Sequence, residues 1–116
     1  MCSYYVSMPK PLKPGLSCPV ARTLDVIGAR WTVLIMRDLL LHRARRFQDL
    51  LDSGEGMAAT TLSDRLKTLE RHGVVERRMY SQHPPRAEYV LTEKGLALGP
   101  IVGAMRDWGQ TYTDRP

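Results

Sequence analysis

The sequence predicts a mainly α-helical fold with one small β-hairpin, and three observations support this. Apolar residues recur three and four positions apart along several segments, as the buried face of a helix requires. Two short runs at 74–80 and 87–91 depart from this pattern, since they are rich in β-branched and aromatic residues. The chain has 116 residues, 43% hydrophobic and 25% charged, which suits one globular domain. We therefore expect a single domain at residues 18–112.

The first 17 residues are expected to form a flexible arm. Pro9, Pro11 and Pro14 remove backbone donors and fix φ at close intervals, which disfavours a helix. Lys10 and Lys13 lie between these prolines. Two interpretations stay open at this stage: a mobile tail, and a basic arm that touches phosphate groups.

Charge and cysteine content restrict the class of protein. Seventeen Lys and Arg against twelve Asp and Glu give +5, which suits a polyanionic partner but also occurs in many plain basic proteins. Two cysteines cannot form a disulfide framework, and no signal-peptide pattern precedes them. The longest nearly apolar stretch, 31–41, is interrupted by Thr32, Arg37 and Asp38, so it cannot span a membrane. We expect a cytoplasmic protein.

Catalytic and metal-binding patterns are missing from the sequence. It contains no nucleophile elbow, no glycine-rich phosphate loop and no metal-ligand spacing. His42, His72 and His83 are dispersed singly, whereas a metal-sensing protein needs clustered Cys and His. We therefore expect no enzymatic activity, no cofactor and no metal.

Three helices are expected in the first half of the domain. The first begins near Pro19 and stops at Gly28, because proline suits a first helical turn. A second, about 30–41, has so broad an apolar stripe that it should be the central strut. A dense basic turn at 42–46 precedes a third helix of about two turns, and glycines indicate a turn at 53–56. The first helix carries Val20, Leu24 and Ile27, and the third carries Phe47, Leu50 and Leu51.

A fourth helix at about 58–72 completes a helix-turn-helix. Leu62, Leu66 and Leu69 form one narrow stripe that must pack on the preceding helices. The other sides carry polar residues: Thr60, Thr61, Ser63, Asp64, Arg65, Lys67, Thr68 and Arg71. Hydroxyl and guanidinium groups can bond to bases or phosphates, so this is a candidate recognition helix. A solvated face without a partner is the alternative.

The segment at about 74–91 is expected to be a β-hairpin wing. Gly73 suits the left-handed position that ends the fourth helix. The connection at 81–86 is too long for a two-residue turn, and two prolines stiffen it. His83 and Arg86 offer donors at its tip, which could reach a phosphate backbone or a minor groove. A surface hairpin with no partner stays open.

The last helix, at about 93–112, is the candidate dimerisation element. Thr92 should cap it, and Pro100 should kink or restart it. Its apolar residues are spaced three, four, three and four: Leu98, Ile101, Met105, Trp108 and Tyr112. Such a stripe can be core, but three helices already supply one, so we expect a second subunit to cover it together with Val20, Leu24 and Ile27. A two-fold dimer would hold two recognition helices roughly 34 Å apart, one turn of DNA.

An ordered set of short segments resembles the HxlR-type bacterial transcriptional regulators, a winged helix-turn-helix family. No single segment is specific, but the ordered set is highly so. It includes Cys18-Pro19, Ile27-Gly28, Arg30-Trp31-Thr32, Arg46-Phe47, Arg65-Leu66, Gly73-Val74-Val75, Pro84-Pro85-Arg86, Glu88-Tyr89, Leu91-Thr92, Gly95, Pro100 and Trp108. The resemblance covers about 18–108.

The resemblance implies a homodimer that binds double-stranded DNA at a palindromic operator near the genes it controls. It implies bases nearest Thr60, Thr61, Ser63, Asp64 and Arg65, and wing contacts from His83 and Arg86. We add Arg46 and Lys67 as candidate DNA contacts. With no separate activation domain, repression is the expected outcome. The alternative is a winged-helix module that binds proteins instead of DNA.

Cys18 is a candidate sensor. It lies at a helix N-terminus, where the helix dipole favours the thiolate. Some members of the resembled family respond to quinones, aldehydes or oxidants through an N-terminal cysteine, so an electrophile or another small molecule is a candidate inducer. The alternative is a small buried residue beneath the dimer helices. Cys2 could form an intersubunit disulfide with Cys18 or have no role.

Overall fold

The computed structural model describes residues 18–53 and 56–114. The arm predicted at 1–17 and part of the turn predicted at 53–56 lie outside the described residues. The elements in chain order are α1 (Pro19–Ile27), α2 (Arg30–His42), β1 (Ala44–Arg45), α3 (Phe47–Ser53), α4 (Ala59–Arg71), β2 (Val75–Gln82), β3 (Pro85–Leu91), α5 (Glu93–Leu96) and α6 (Gly99–Tyr112). The predicted mainly helical fold with a β-hairpin is confirmed.

The core lies where α2, α3 and α4 meet the sheet. Its buried residues are Ile35, Met36, Leu39, Leu50, Met57, Leu62, Leu66, Leu69, Val74 and Val75. Helix α2 contacts α1, α3, α4, α6 and two strands, so it is the central strut that its broad apolar stripe predicts. Each fully buried aliphatic side chain contributes about 1.5–3 kcal/mol of hydrophobic free energy. Among the described helices, none is long and apolar enough to cross a membrane.

A short strand lies within the predicted basic turn at 42–46, which is a correction. Helix α2 ends where Arg43 adopts a φ of 62°. Ala44 and Arg45 then pair with Val90 and Tyr89, and the antiparallel sheet has the order β1-β3-β2. A strand of two residues is too short to give an alternating pattern, so the sequence could not predict it.

The connection between β2 and β3 is shorter than predicted. Both strands continue into the predicted loop, where Ser81 pairs with Arg86 and Gln82 with Pro85. Only His83 and Pro84 remain as the turn, so the prediction that 81–86 is too long for a two-residue turn is wrong. An irregularity between Met79 and Ser81 shifts the register and makes this extension possible.

The C-terminal helical segment is divided into α5 and α6. Thr92 caps α5, as predicted, because its hydroxyl accepts a hydrogen bond from the Gly95 N–H at 3.1 Å. The chain turns at 97–98, and Pro100 lies in the first turn of α6, where its missing N–H costs nothing. The single helix expected at about 93–112 is therefore two helices, with Pro100 restarting the second.

Candidate nucleic-acid interface

Helix α4 separates a buried face from a polar face. Leu62, Leu66 and Leu69 are at most 1% exposed and anchor the helix in the core. On the other side, Thr60, Asp64 and Lys67 are exposed. Because these exposed positions are three or four residues apart, they lie along one side of the helix. A rigid helix thus offers a hydroxyl, a carboxylate and an ammonium group to a partner.

The remaining predicted contacts on α4 lie at the edges of the polar face. Thr61, Ser63 and Arg65 are half-buried. The Arg65 Nε is enclosed and has no hydrogen-bond partner among the described residues. The Arg65 side chain is therefore covered by the protein as far as its Nε atom. Thr68 is occupied within the helix, since its hydroxyl donates to the Asp64 carbonyl at 3.1 Å and accepts from Arg71 at 3.2 Å.

The C-terminal end of α4 is held by a glycine motif. Gly73 has a φ of 72°, and its N–H donates to the Glu70 carbonyl at 3.0 Å. The Val74 N–H donates to the Leu69 carbonyl at 3.0 Å, which completes a Schellman motif. Thr92 Oγ1 and Lys94 Nζ donate to the carbonyls of Gly73 and His72 at 2.6 and 2.7 Å. These bonds fix the direction in which the chain leaves α4 towards the hairpin.

The start of the helix-turn-helix is tied to α2 by a buried carboxylate. Asp38 is 6% exposed. Its Oδ1 atom lies 3.2 Å from Arg45 Nε, and the two side chains form an ion pair without the geometry of a hydrogen bond. The Ser53 hydroxyl donates to the same carboxylate, and His42 Nε2 lies 3.7 Å from it. One side chain of α2 thereby contacts β1 and the end of α3, which sets the position of the helix-turn-helix on the central strut.

Arg46 lies just before α3 and is exposed. Its backbone N–H donates to the Asp49 carboxylate at 3.1 Å, which caps the helix. Its side-chain Nε lies 3.8 Å from the same carboxylate, a weak surface ion pair. A surface pair of this kind leaves the guanidinium able to turn towards an anion.

The hairpin presents basic groups on both of its faces. His83 and Arg86 are exposed at its tip, as predicted. Arg77 and Arg78 on β2 are exposed as well, and Arg78 is paired with Glu76 at 3.4 Å. The sequence interpretation treated Arg77 as part of a supporting strand and missed it. Its place in the register, opposite Tyr89, could not be known before the strands were aligned.

Tyr89 packs against the core beneath the hairpin and is half-buried. Burial raises the pKa of its hydroxyl above the ordinary value, and the Glu70 carboxylate raises it further. Arg77 opposes this by its charge and by hydrogen bonding, and so lowers the same pKa. The net shift is upwards, so the hydroxyl keeps its proton at neutral pH.

Most of the predicted dimerisation residues are exposed apolar side chains. Those on α1 and α6 are Val20, Leu24, Ile101, Met105, Trp108 and Tyr112, with 41–70% of each residue exposed. The rings of Trp108 and Tyr112 have centroids 5.3 Å apart. Ile27 differs, because it is only 8% exposed, and Leu98 packs against the core. The exposed six are large apolar side chains on two helices, and a partner that covers them would remove this apolar area from water.

Cys18 occupies the N-cap position of α1 and is half-buried. Its sulfur is disulfide-bonded, so it is not a free thiolate in this state. Its side chain makes no capping hydrogen bond to α1. Within 18–53 and 56–114, no group of three or more His, Cys, Asp or Glu is placed to hold a metal ion.

A helix-turn-helix followed directly by an antiparallel hairpin defines a winged helix-turn-helix protein. The profile of the HxlR-like helix-turn-helix family matches residues 26–116, and the chain belongs to this family. The resemblance observed in the sequence is therefore confirmed.

Known proteins similar to this chain include regulators of transcription. YdeP of Bacillus subtilis (strain 168), an uncharacterised HTH-type transcriptional regulator, is 40% identical over 98 residues, which cover 84% of this chain and 76% of YdeP. The redox regulator HypR in its oxidised form is 38% identical, with a TM-score of 0.78, over 84% of this chain and 100% of HypR. The reduced form of the transcriptional regulator YodB from B. subtilis is 30% identical, with a TM-score of 0.71, over 85% of this chain and 97% of YodB.

Proposed function

We propose that this protein is a sequence-specific, double-stranded DNA-binding regulator of transcription that reads its operator with α4 and the hairpin. The observation that carries the proposal is the division of α4 into a leucine face buried in the core and an exposed polar face. A helix held this way can lie in a major groove without losing its anchor. Membership of a family of helix-turn-helix regulators supports the same conclusion.

The candidate contacts divide by chemistry into groups that read bases and groups that bind phosphate. Thr60, Thr61 and Ser63 have short hydroxyl side chains that allow close approach to base edges. Asp64 can accept from a cytosine amine, and Arg65 can donate to guanine or to phosphate. Phosphate contacts come from Lys67 on α4 and from Arg46, His83 and Arg86 around it. Phosphate contacts position the protein, and base contacts give the specificity.

A homodimer on a palindromic operator is the second part of the proposal. The helix carries few basic groups, so one copy should bind a duplex weakly. Two copies at a fixed spacing would place two recognition helices in successive major grooves. The exposed apolar side chains of α1 and α6 support a second copy as the partner. We propose that the complex acts as a repressor, by occluding the promoter.

Cys18, once its disulfide is reduced to a thiol, is proposed as the site that reacts with an oxidant or electrophile. An oxidant such as diamide takes two electrons and two protons from Cys18 and a second thiol and re-forms the disulfide, whereas an electrophile adds to the Cys18 sulfur with loss of its proton. The Cys18 sulfur already takes part in a disulfide bond at the first turn of α1, one of the two proposed dimer helices. Two similar structures are HypR, named a redox regulator, and YodB, seen in reduced and diamide-treated forms. A change at Cys18 would act by altering the spacing of the two recognition helices. If Cys18→Ser leaves both repression and its release by diamide unchanged, this part of the proposal is wrong.

A gel-shift titration with the region upstream of the protein's own gene tests the central proposal. The wild type should bind this duplex at least ~10³-fold more tightly than a scrambled duplex, as specific binders do. Lys67→Gln should weaken binding to both duplexes alike, whereas Thr60→Ala should reduce the ratio between them. Arg106→Gln is the matched control, because Arg106 lies on α6 and is exposed. Equal affinity of the wild type for every duplex would contradict sequence-specific recognition.

The second candidate is a winged-helix module that binds another protein and no DNA. The exposed apolar side chains of α1 and α6 favour it, because they would serve a protein partner equally well. Such a module should lose little function when Lys67 and Arg86 are neutralised. Its binding should also lack the steep salt dependence of a DNA complex.

A further inference from the structure

A cleft of about 360 Å³ lies between the start of α3 and the hairpin. Its lining residues are Phe47, Arg77, Met79, Pro85, Arg86, Ala87 and Tyr89. We call it the wing cleft. It brings the first residue of α3 together with the two strands of the hairpin, β2 and β3, which come after α4 in the sequence. None of the contacts predicted from sequence used Arg77 or Tyr89.

The strand register explains why Arg77 points to this cleft. Residues directly opposite each other in an antiparallel pair share one face of the sheet. Val75 pairs with Leu91 on the core face, and Arg77 pairs with Tyr89 two residues further along the strands. Arg77 therefore projects from the core face, at the point where the core ends and the hairpin continues alone.

The charges on the two faces of the hairpin differ. On the outer face, Arg78 is paired with Glu76 at 3.4 Å and lies opposite Glu88 in the register. Arg77 projects to the wing cleft, and no Asp or Glu is among the lining residues; Arg86 contributes to the lining, but it alternates with Ala87 along β3, so its side chain belongs to the outer face. The Glu70 carboxylate on α4 acts on one lining residue, since it raises the pKa of the Tyr89 hydroxyl. An anion is therefore favoured in the cleft and disfavoured on the outer face.

We infer that the wing cleft receives a phosphodiester group of the bound DNA duplex, with Arg77 as its donor. The inference rests on the proposed function and adds a contact to it. Arg77 lies opposite Tyr89 in the strand register, so its guanidinium is beside a half-buried tyrosine and faces the cleft. A planar guanidinium fork matches the geometry of phosphate oxygens. Arg46, the residue before Phe47, is exposed and is a candidate for an adjacent phosphate contact.

The position of the cleft is the reason why we expect it to contact a phosphate group of the DNA and not a base. A recognition helix in a major groove and a wing at the adjacent minor groove must straddle one sugar-phosphate backbone. The wing cleft runs along the hairpin beside Phe47, the first residue of α3, so it lies between the helix-turn-helix and the wing. Its contact with DNA should therefore be independent of sequence.

Arg77→Gln tests this inference through the salt dependence of duplex binding. Loss of one phosphate contact should reduce the slope of log affinity against log salt by about 0.9. Affinity should fall about tenfold, because a charged hydrogen bond is lost, and equally for the operator and a scrambled duplex. Arg77→Lys keeps the charge and should keep the slope, while losing affinity through the missing fork.

Arg78→Gln is the matched control. It makes the same change of charge one residue away, on the face that points out of the cleft. The affinity of Arg78→Gln for the duplex, and the slope of log affinity against log salt, should stay close to those of the wild type. An Arg77→Gln slope equal to that of the wild type, or an equal loss for Arg78→Gln, would overturn the inference. Since the wild type is titrated first, failure to bind any duplex would instead reject the proposed function itself.

Chemical modification of the wild-type protein gives a second readout that does not depend on the folding of a variant. Phenylglyoxal modifies accessible guanidinium groups, and Arg77 and Arg78 are both exposed in the free protein. Bound duplex should protect Arg77 strongly and Arg78 weakly, as measured by fragmentation mass spectrometry. Inorganic phosphate at the same phosphate concentration should protect neither. Equal modification of Arg77 with and without duplex would contradict the inference.

Discussion

Tyr89 shows how one side chain can serve both the core and the surface. Its ring packs against the core, while its hydroxyl lies between Glu70 and Arg77. The upward shift of its pKa results first from burial and second from the Glu70 carboxylate. The neutral hydroxyl is thus the form that the folded protein stabilises.

The shift predicts a pH dependence of stability in the alkaline range. A raised folded-state pKa means that this contribution is fully present below the unfolded value of about 10. It is lost as the pH rises through the higher folded value, where ionisation is disfavoured in the native state. The free energy of unfolding of the wild type should therefore decrease as the pH rises above about 10. Tyr89→Phe should remove part of this decline, and an identical decline in both proteins would contradict the assignment.

At the scale of elements, the fold depends on how α5 closes the end of α4. A Cβ atom at Gly95 would lie 2.2 Å from the Val74 carbonyl oxygen, a backbone atom that cannot move aside easily. That carbonyl also accepts the Thr92 N–H at 3.0 Å. Glycine at this position is thus what allows α5 to lie against the chain that leads from α4 to the hairpin.

Gly95→Ala should therefore destabilise the protein by about 1–3 kcal/mol, the usual cost of a forced overlap. Gly109→Ala is the matched control, because a Cβ there would have no neighbour within 4 Å. That control should be neutral, or stabilising by up to about 1 kcal/mol through helix propensity. Urea unfolding measures both variants. Equal stability of Gly95→Ala and the wild type would show that position 95 and the Val74 carbonyl are not in close contact.

The helices were largely predictable from sequence, because their apolar residues repeat over two or more turns. The sheet was less so. Strand β1 has two residues and no periodicity, and the hairpin turn was hidden because Pro85 is part of a strand. Proline fits there because it lies next to the turn, where pairing ends.

The candidate site was partly predictable, because part of it lies on α4, where the apolar residues repeat at helical spacing. Polar positions on α4 follow from the leucine stripe, so their exposure could be predicted. Arg77 was missed because its role depends on strand register. Ile27 and Leu98 could not be told from the exposed apolar residues, since spacing identifies a helix face but does not reveal what covers it.

At the scale of the whole molecule, the exposed apolar side chains are on the first and last helices, α1 and α6, whereas the candidate recognition helix is α4. Trp108 and Tyr112 are 62% and 70% exposed, which is costly for a protein that stays monomeric. A second copy that covers this surface would also fix the distance between two recognition helices. Association and DNA affinity should therefore change together.

Met105→Glu tests this coupling, because Met105 is 50% exposed in the middle of α6. A carboxylate there should shift the protein towards monomers in analytical ultracentrifugation and weaken operator binding at least ~10-fold. Gln110→Glu is the matched control, since Gln110 lies outside the apolar spacing and is exposed. A wild-type protein that is monomeric at micromolar concentration would contradict the dimer.

The central claim is that α4 and the hairpin form the DNA-binding surface. Nuclear magnetic resonance of the isotope-labelled protein, titrated with its operator duplex, tests this most directly. The largest amide shifts are predicted in the first half of α4, around Thr60 to Arg65, and at the hairpin around His83 and Arg86. Shifts confined to α1 and α6, or no saturable shifts with any duplex, would contradict the claim.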